Sequence, residues 1–303
     1  MDKRFTRNAM FFSTLFLVML VFAVAAFFYG INLGSKKTEQ KYAHLQEAAT
    51  PETEYVYQQQ DLISFYLSVY SPYREFQNSW TEALNKIANN DISNVASLYK
   101  EIESQASKKA EEAASFNLQH AGLIGQAQQS YIRSLNQFEK AAAALQRRKP
   151  ASYEEVLESL QNNEAYIGAV NQALNGQSQF YNAMHLWGSS IDPNIPSEFD
   201  KNVNQNFEKW SELPLLIKNV VIADYLKDKK IFADYLPHDL VSSIDYFIST
   251  GQAKSMNIST VDGVITLLLN TNAVRPGDYS LHRSKLYNDQ FLPQIPFFYP
   301  KVD

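Results

Sequence analysis

The chain has 303 residues, is 45% hydrophobic and 13% aromatic, and contains no cysteine. That apolar content supports a packed core, and the missing cysteines exclude disulfides, thiolate metal sites and cysteine nucleophiles in any compartment. With Asp2, Lys3, Arg4 and Arg7 at the N-terminus set apart, 24 basic residues face 31 acidic ones, a surface that repels polyanions, so no nucleic-acid partner is expected.

Residues 1–9 make a short basic head expected to stay in the cytoplasm. From Met10 to Leu33 no charged side chain occurs. At about 1.5 Å per residue such a helix would be roughly 36 Å long, enough to cross a hydrocarbon core of about 30 Å with some tilt. Residues 10–34 are therefore read as a transmembrane signal anchor whose partner is the lipid bilayer. Ala23-Val24-Ala25 resembles a signal-peptide cleavage site, but the apolar run continues through Phe27, Phe28, Tyr29 and Ile31, so retention is expected. Lys3, Arg4 and Arg7 before the span balance Lys36, Lys37 and Lys41 after it, so the Lys/Arg count does not orient it. A long polar domain behind an N-terminal anchor points residues 35–303 out of the cytoplasm.

Residues 35–50 are good helix formers and read as a helical stalk. Thr50-Pro51, followed by Glu52 and Glu54, has the composition of a helix start. The stripe Leu62, Tyr66, Val69, Tyr73, Phe76, Trp80, Leu84 and Ile87 predicts a helix over 54–90, with a kink or a new start at Pro72 and Ser71 as its cap. Its aromatic series reads as core, with a ligand-stacking surface as the alternative. The periodicity continues from Ile92 to Leu145, where Gly122 and Gly125 leave open one long helix or two over 92–147. Ser152 opens a further helix carried to about Trp187. The many Ala and Ser residues at 104–144 suit close helix approach or a slim, partly exposed helix.

Eight of the eleven prolines lie at 193 or beyond, which sets a boundary near 190. Helices are predicted at 197–211, 214–235, 237–249 and 259–272, the last of which could equally be a buried strand. The tail from Arg275 reads as irregular. Its Phe291-to-Pro300 stretch is rich in proline and aromatics, expected to fill a groove, or otherwise to dock a partner. The expected fold is mainly α: an N-terminal transmembrane helix, an elongated antiparallel bundle of three or four long helices over 51–190, and a smaller distal subdomain over 191–303 that is all-α or carries minor β.

Catalytic patterns are scarce. No G-x-S-x-G, Walker, H-E-x-x-H or G-x-G-x-x-G motif occurs, and none of His44, His120, His185, His238 and His282 follows a glutamate by three residues. His238-Asp239 could belong to an HD-type metal hydrolase, with His185 and Asp262 as further ligands. The plainer account is that Pro237 opens a helix and Asp239 favours its dipole, worth about 0.3 to 1 kcal/mol, so that losing it costs little. Glu111, Glu112, Glu154, Glu155 and Glu158 read as solvated helix faces, and Asn257-Ile258-Ser259 as a lone glycosylation sequon. No catalytic, cofactor-binding or metal residue is assigned, and no enzyme activity is expected. The sequence points to a membrane-anchored extracytoplasmic binding or scaffold protein with a partner in a bacterial cell envelope. Its alternatives are a ligand-sensing bundle with a separate output partner and the tethered hydrolase.

Overall fold

The computed structural model describes residues 57–89, 94–118, 121–148, 150 and 152–299. The chain divides into Met1–Thr53 and Glu54–Asp303, and every described residue belongs to the second unit. The expected head, span 10–34 and stalk 35–50 lie outside the described residues. Among the described residues the fold is mainly α, without strands, and no helix is long and apolar enough to cross a membrane.

The first helix among the described residues is α1 (Gln59–Phe65), started by Asp61, whose carboxylate accepts from the backbone of Gln58 at 2.8 Å. It continues without interruption through a π-helical segment (Tyr66–Tyr70) into α2 (Ser71–Ala88). Pro72 has no N–H to donate, and its ring crowds the carbonyl four residues back. The wider turn lies just upstream, so the expected disturbance takes the form of a π segment inside one continuous run. Ser71 is accordingly helical and not a cap.

The open question over 92–147 resolves into two helices, α3 (Val95–Ala114) and α4 (Gly122–Gln146). Gly122 takes a left-handed φ of 53°, which side chains resist and which turns the chain back. Gln128 reaches back from α4 to donate to the carbonyls of Ala113 and Phe116 at 2.8 and 2.7 Å, satisfying the end of α3. The helix expected from Ser152 to Trp187 is also two: α5 (Tyr153–Gln161) and α6 (Glu164–Ile191). Ser152 Oγ caps the first, accepting from Glu155 N. Asn163 caps the second, its Oδ1 accepting from Tyr166 N at 2.9 Å. The Asn162-Asn163 pair carried the missed signal, because these side chains compete for backbone donors.

α4 and α6 run antiparallel in a register fixed by polar pairs. Gln179 joins Gln126 at 3.3 Å, Asn175 and Gln179 meet Ser130 at 3.2 and 3.0 Å, and Ser134 donates to the Ala169 carbonyl at 2.8 Å. The Ala and Ser richness therefore reflects close approach. At Gly176 an added Cβ would lie 3.1 Å from the Tyr131 ring, tighter than ordinary contact, so a side chain there forces the two helices apart. α2 lies along α4, with Tyr73 OH 2.8 Å from Ser134 Oγ and Trp80 against Phe138 at 4.8 Å between ring centres. Tyr70, Tyr73, Phe76 and Trp80 are buried, so most of the aromatic series is core, while Tyr66 is half-buried.

Residues 197–206 do not form the expected helix. Short side-chain turns hold them instead: Asp200 accepts from Asn202 N, and Asn202 from Asn204 N, both at 2.9 Å. Asn and Asp offer the backbone such local partners, which outcompete a helical ladder. Helix resumes at α7 (Phe207–Glu212), capped by Asn206, and continues with α8 (Leu215–Asp228), α9 (Pro237–Ser249) and α10 (Gln252–Ser255). α11 (Val261–Asn270) settles the helix-or-strand ambiguity in favour of helix, with Thr260 Oγ1 accepting from Gly263 N. Where an irregular tail was expected, α12 (Asp278–Leu286) follows Gly277 at a φ of 91°. A short 3₁₀ turn, Pro296–Phe298, lies close to the C-terminus. α8 packs antiparallel on α6, with Ser178 donating to Asp224 at 2.5 Å and Gly188 facing Leu216.

Candidate functional site

His238 and Asp239, the pair singled out by the sequence, open α9 in the interior. Asp239 Oδ2 accepts from Leu236 N at 2.9 Å, as a helix-start carboxylate should. Its Oδ1 does more: it accepts from Gly277 N and Tyr279 N, both at 3.1 Å, and so fastens the start of α12 to the start of α9. Burial raises its pKa, and the three backbone donors oppose that rise. Removing this carboxylate would leave three donors without an acceptor, so the sequence-based expectation of a small loss is corrected.

His238 is buried beside it. One ring nitrogen, Nδ1, lies 2.8 Å from Tyr181 OH, and the ring stacks on Phe297 at 4.8 Å between centres. Burial, with a smaller contribution from the Arg74 cation, pushes its pKa down from 6.5 to about 3. A base depressed in the folded state binds more protons when unfolded, so its contribution is whole above the unfolded value and declines as pH falls toward the folded one. Stability of the native chain should therefore fall between about pH 6 and pH 4 by one proton's worth more than that of His238→Phe, roughly 1.4 kcal/mol per pH unit. Urea unfolding at stepped pH measures this difference; parallel slopes would show that His238 is charged in the fold.

The other residues offered as ligands do not join this pair. His185 Nε2 donates to the Pro196 carbonyl, 2.8 Å away, and its ring packs edge-on against Phe199 at 4.9 Å. Asp262 lies in the first turn of α11, its N–H donating to the Val203 carbonyl. Among the described residues no group of three His, Asp or Glu side chains is placed to hold a metal ion. Glu111, Glu154, Glu155 and Glu158 lie on exposed helix faces, and Glu112 is half-exposed beside Lys108 and Lys109.

A polar cluster that the sequence reading missed lies at the base of a cleft of about 260 Å³. Asp245 accepts from Trp210 Nε1 at 2.7 Å, from Lys218 Nζ at 3.0 and 3.1 Å, and from Tyr287 OH at 2.7 Å. Burial, and then the neighbouring carboxylate, raise the Tyr287 pKa well above its usual value, so it stays a donor. Lys218 and Asp245 sit in runs of apolar residues on α8 and α9, a charge out of pattern, and that was the available signal. With three donor groups making four hydrogen bonds on two oxygens, the carboxylate is saturated and ties α7, α8, α9 and Tyr287 together.

A surface depression of about 420 Å³ lies among α9, α10, α11 and α12. Phe247, Met256, Leu267 and Leu268 give it an apolar floor, and His282 stacks on Tyr246 at 4.1 Å at its edge. Its size falls within the range of small-molecule and side-chain pockets. Comparison of the chain with protein-family models, with curated proteins and with solved structures gave no match.

Proposed function

We propose that the chain is a membrane-anchored protein whose helical unit lies outside the cytoplasm and acts by binding, as a scaffold or accessory component of an envelope complex. The carrying observation is the uncharged stretch from Met10 to Leu33, joined to a helical unit of some 250 residues. In this reading the long helices α2, α3, α4 and α6, packed on one another within that unit, carry the binding surfaces. The polar interior supports the same reading. His238, Asp239, Lys218 and Asp245 are each engaged in bonds that lock helices together, which leaves them unsuited to shuttling protons.

Protease added to intact protoplasts tests the topology. The expected result is digestion of the unit with the N-terminal anchor kept in the membrane fraction. Protection in intact cells and digestion only after lysis would reverse the orientation, and a mature N-terminus near Ala26 would remove the anchor.

A further inference from the structure

The depression of about 420 Å³ among α9, α10, α11 and α12 has walls fixed by bonds between the helices. Asp239 fastens the start of α12 to α9, and Ser243 Oγ donates to Asp278 Oδ2 at 2.7 Å across the same two helices. Ala273 N donates to the Leu268 carbonyl at 3.0 Å and closes the end of α11. The space is therefore preformed, so an occupant meets little cost of ordering. Phe247 and Leu268 are buried beneath it, and Leu267 is half-buried. Met256, 53% exposed, also lines it, and its unbranched thioether can adapt to the outline of an apolar body.

The polar groups around this floor divide into spent and unspent. The Thr271 hydroxyl donates to the Leu267 carbonyl at 2.8 Å, and the Ser243 hydroxyl is held by Asp278. Asp278, the carboxylate in the lining, accepts from Arg275 N at 2.9 Å as well as from Ser243. His282 and Lys285, by contrast, make no hydrogen bond or ion pair with any described residue. The Tyr246 ring brings them to one edge: His282 stacks on it at 4.1 Å with the planes 9° apart, and Lys285 Nζ lies 5.4 Å from its centre. Of the other charges on these helices, Asp239 and Asp245 are bonded in the interior, and Asp262 lies in the first turn of α11, away from Leu267 and Leu268. The Arg283 guanidinium sits over the Tyr299 ring at 4.7 Å, and Lys254 is exposed on α10. An ammonium has donors only, so the unspent charge at the edge of this apolar space is a cation.

We propose that this depression binds a small organic anion of the aryl carboxylate class, its ring system over Phe247 and Leu268 and its carboxylate at His282 and Lys285. Apolar burial supplies the affinity, and the charge-assisted bonds at the edge supply the choice of head group. The size of the space suits a small molecule, and its polar edge complements a single negative group on that molecule. The site lies wholly within the helical unit, so it adds ligand binding to the scaffold role and does not depend on the anchor.

Fluorine NMR tests the site on the full chain in phosphatidylcholine nanodiscs, with 6-fluoro-2-naphthoate and its neutral carboxamide as probes and empty nanodiscs to subtract lipid partition. The expected result is saturable binding of the naphthoate, with the carboxamide roughly tenfold weaker. Lys285→Gln should weaken the naphthoate by a similar factor and leave the carboxamide unchanged. Ala273→Trp, which fills the depression from an exposed position, should abolish naphthoate binding. Both variants change exposed side chains and should keep the native thermal midpoint. Equal affinity for acid and carboxamide, or undiminished naphthoate binding by Lys285→Gln, overturns recognition of the anion. Binding that survives Ala273→Trp, or none beyond empty nanodiscs, overturns the site. Alkaline carbonate extraction, which tests the anchor, reads independently of all these outcomes.

Discussion

Removal of Phe291 to Asp303 is expected to lower the unfolding free energy by at least about 5 kcal/mol. Leu292, Ile295 and Phe298 are buried in the body of the unit, Ile295 and Phe298 completely. Full burial of such side chains is worth about 1.5 to 3 kcal/mol each. Phe297 adds ring contacts with Tyr66 at 5.5 Å, Tyr181 at 6.4 Å and His238 at 4.8 Å, so the tail closes the aromatic interior between the π-helical segment, α6 and α9. The tail thus fills a groove, and among its described large apolar side chains Phe291 is the exposed one. Should the truncated chain fail to fold, Phe298→Ala isolates the effect at about 3 to 5 kcal/mol. Urea unfolding followed by far-UV circular dichroism measures both. An unchanged midpoint in Phe298→Ala would place the tail outside the core.

Trp80→Ala should cost a further large amount, about 3 to 5 kcal/mol, by opening a cavity in the middle of α2. The ring is 2% exposed and lies between Phe138 at 4.8 Å, Tyr166 at 5.5 Å in a stacked arrangement, and Tyr99 at 6.2 Å. These neighbours come from α4, α6 and α3, so one truncation loosens four helices at once. Their rings and helix backbones are fixed by packing on both sides, which limits how far the site can collapse. Thermal unfolding of wild type and variant provides the comparison. Equal midpoints would put the aromatic series on the surface and restore the ligand-stacking alternative.

The two expectations rest on different kinds of legibility. Trp80 was readable as core because it stands in a stripe repeating every three or four residues, and helical periodicity maps directly onto a buried face. The tail was readable as bound because so many aromatic residues in a short stretch are costly to leave in water. What they bind was not readable, since His238 and Tyr181 are 57 or more positions away in sequence from one another and from Tyr66. The breaks at Asn162-Asn163 and over 197–206 were visible only as polar residues. Their outcome depended on which side chain reached which backbone donor.

His238-Asp239 shows the limit most plainly. As a dipeptide it is compatible with a metal centre, which needs the imidazole, the carboxylate and further ligands, and more simply with a helix start, which needs only a carboxylate in the first turn. In the fold the N–H groups of Gly277 and Tyr279 reach Asp239, because α12 folds back onto α9. Lys218 and Asp245 were likewise ordinary charges until α8 and α9 packed together with Trp210 and Tyr287 beside them. The amino-acid sequence alone determined a mainly α chain, the places of its apolar stripes, the exclusion of thiol chemistry and the acidic surface, since these follow from local periodicity and composition. Only the tertiary structure decided which polar groups are locks and which large apolar side chains, such as Phe116 and Ile191, stay exposed. Those properties come from contacts between residues tens of positions apart, whose desolvation and pairing no local pattern encodes.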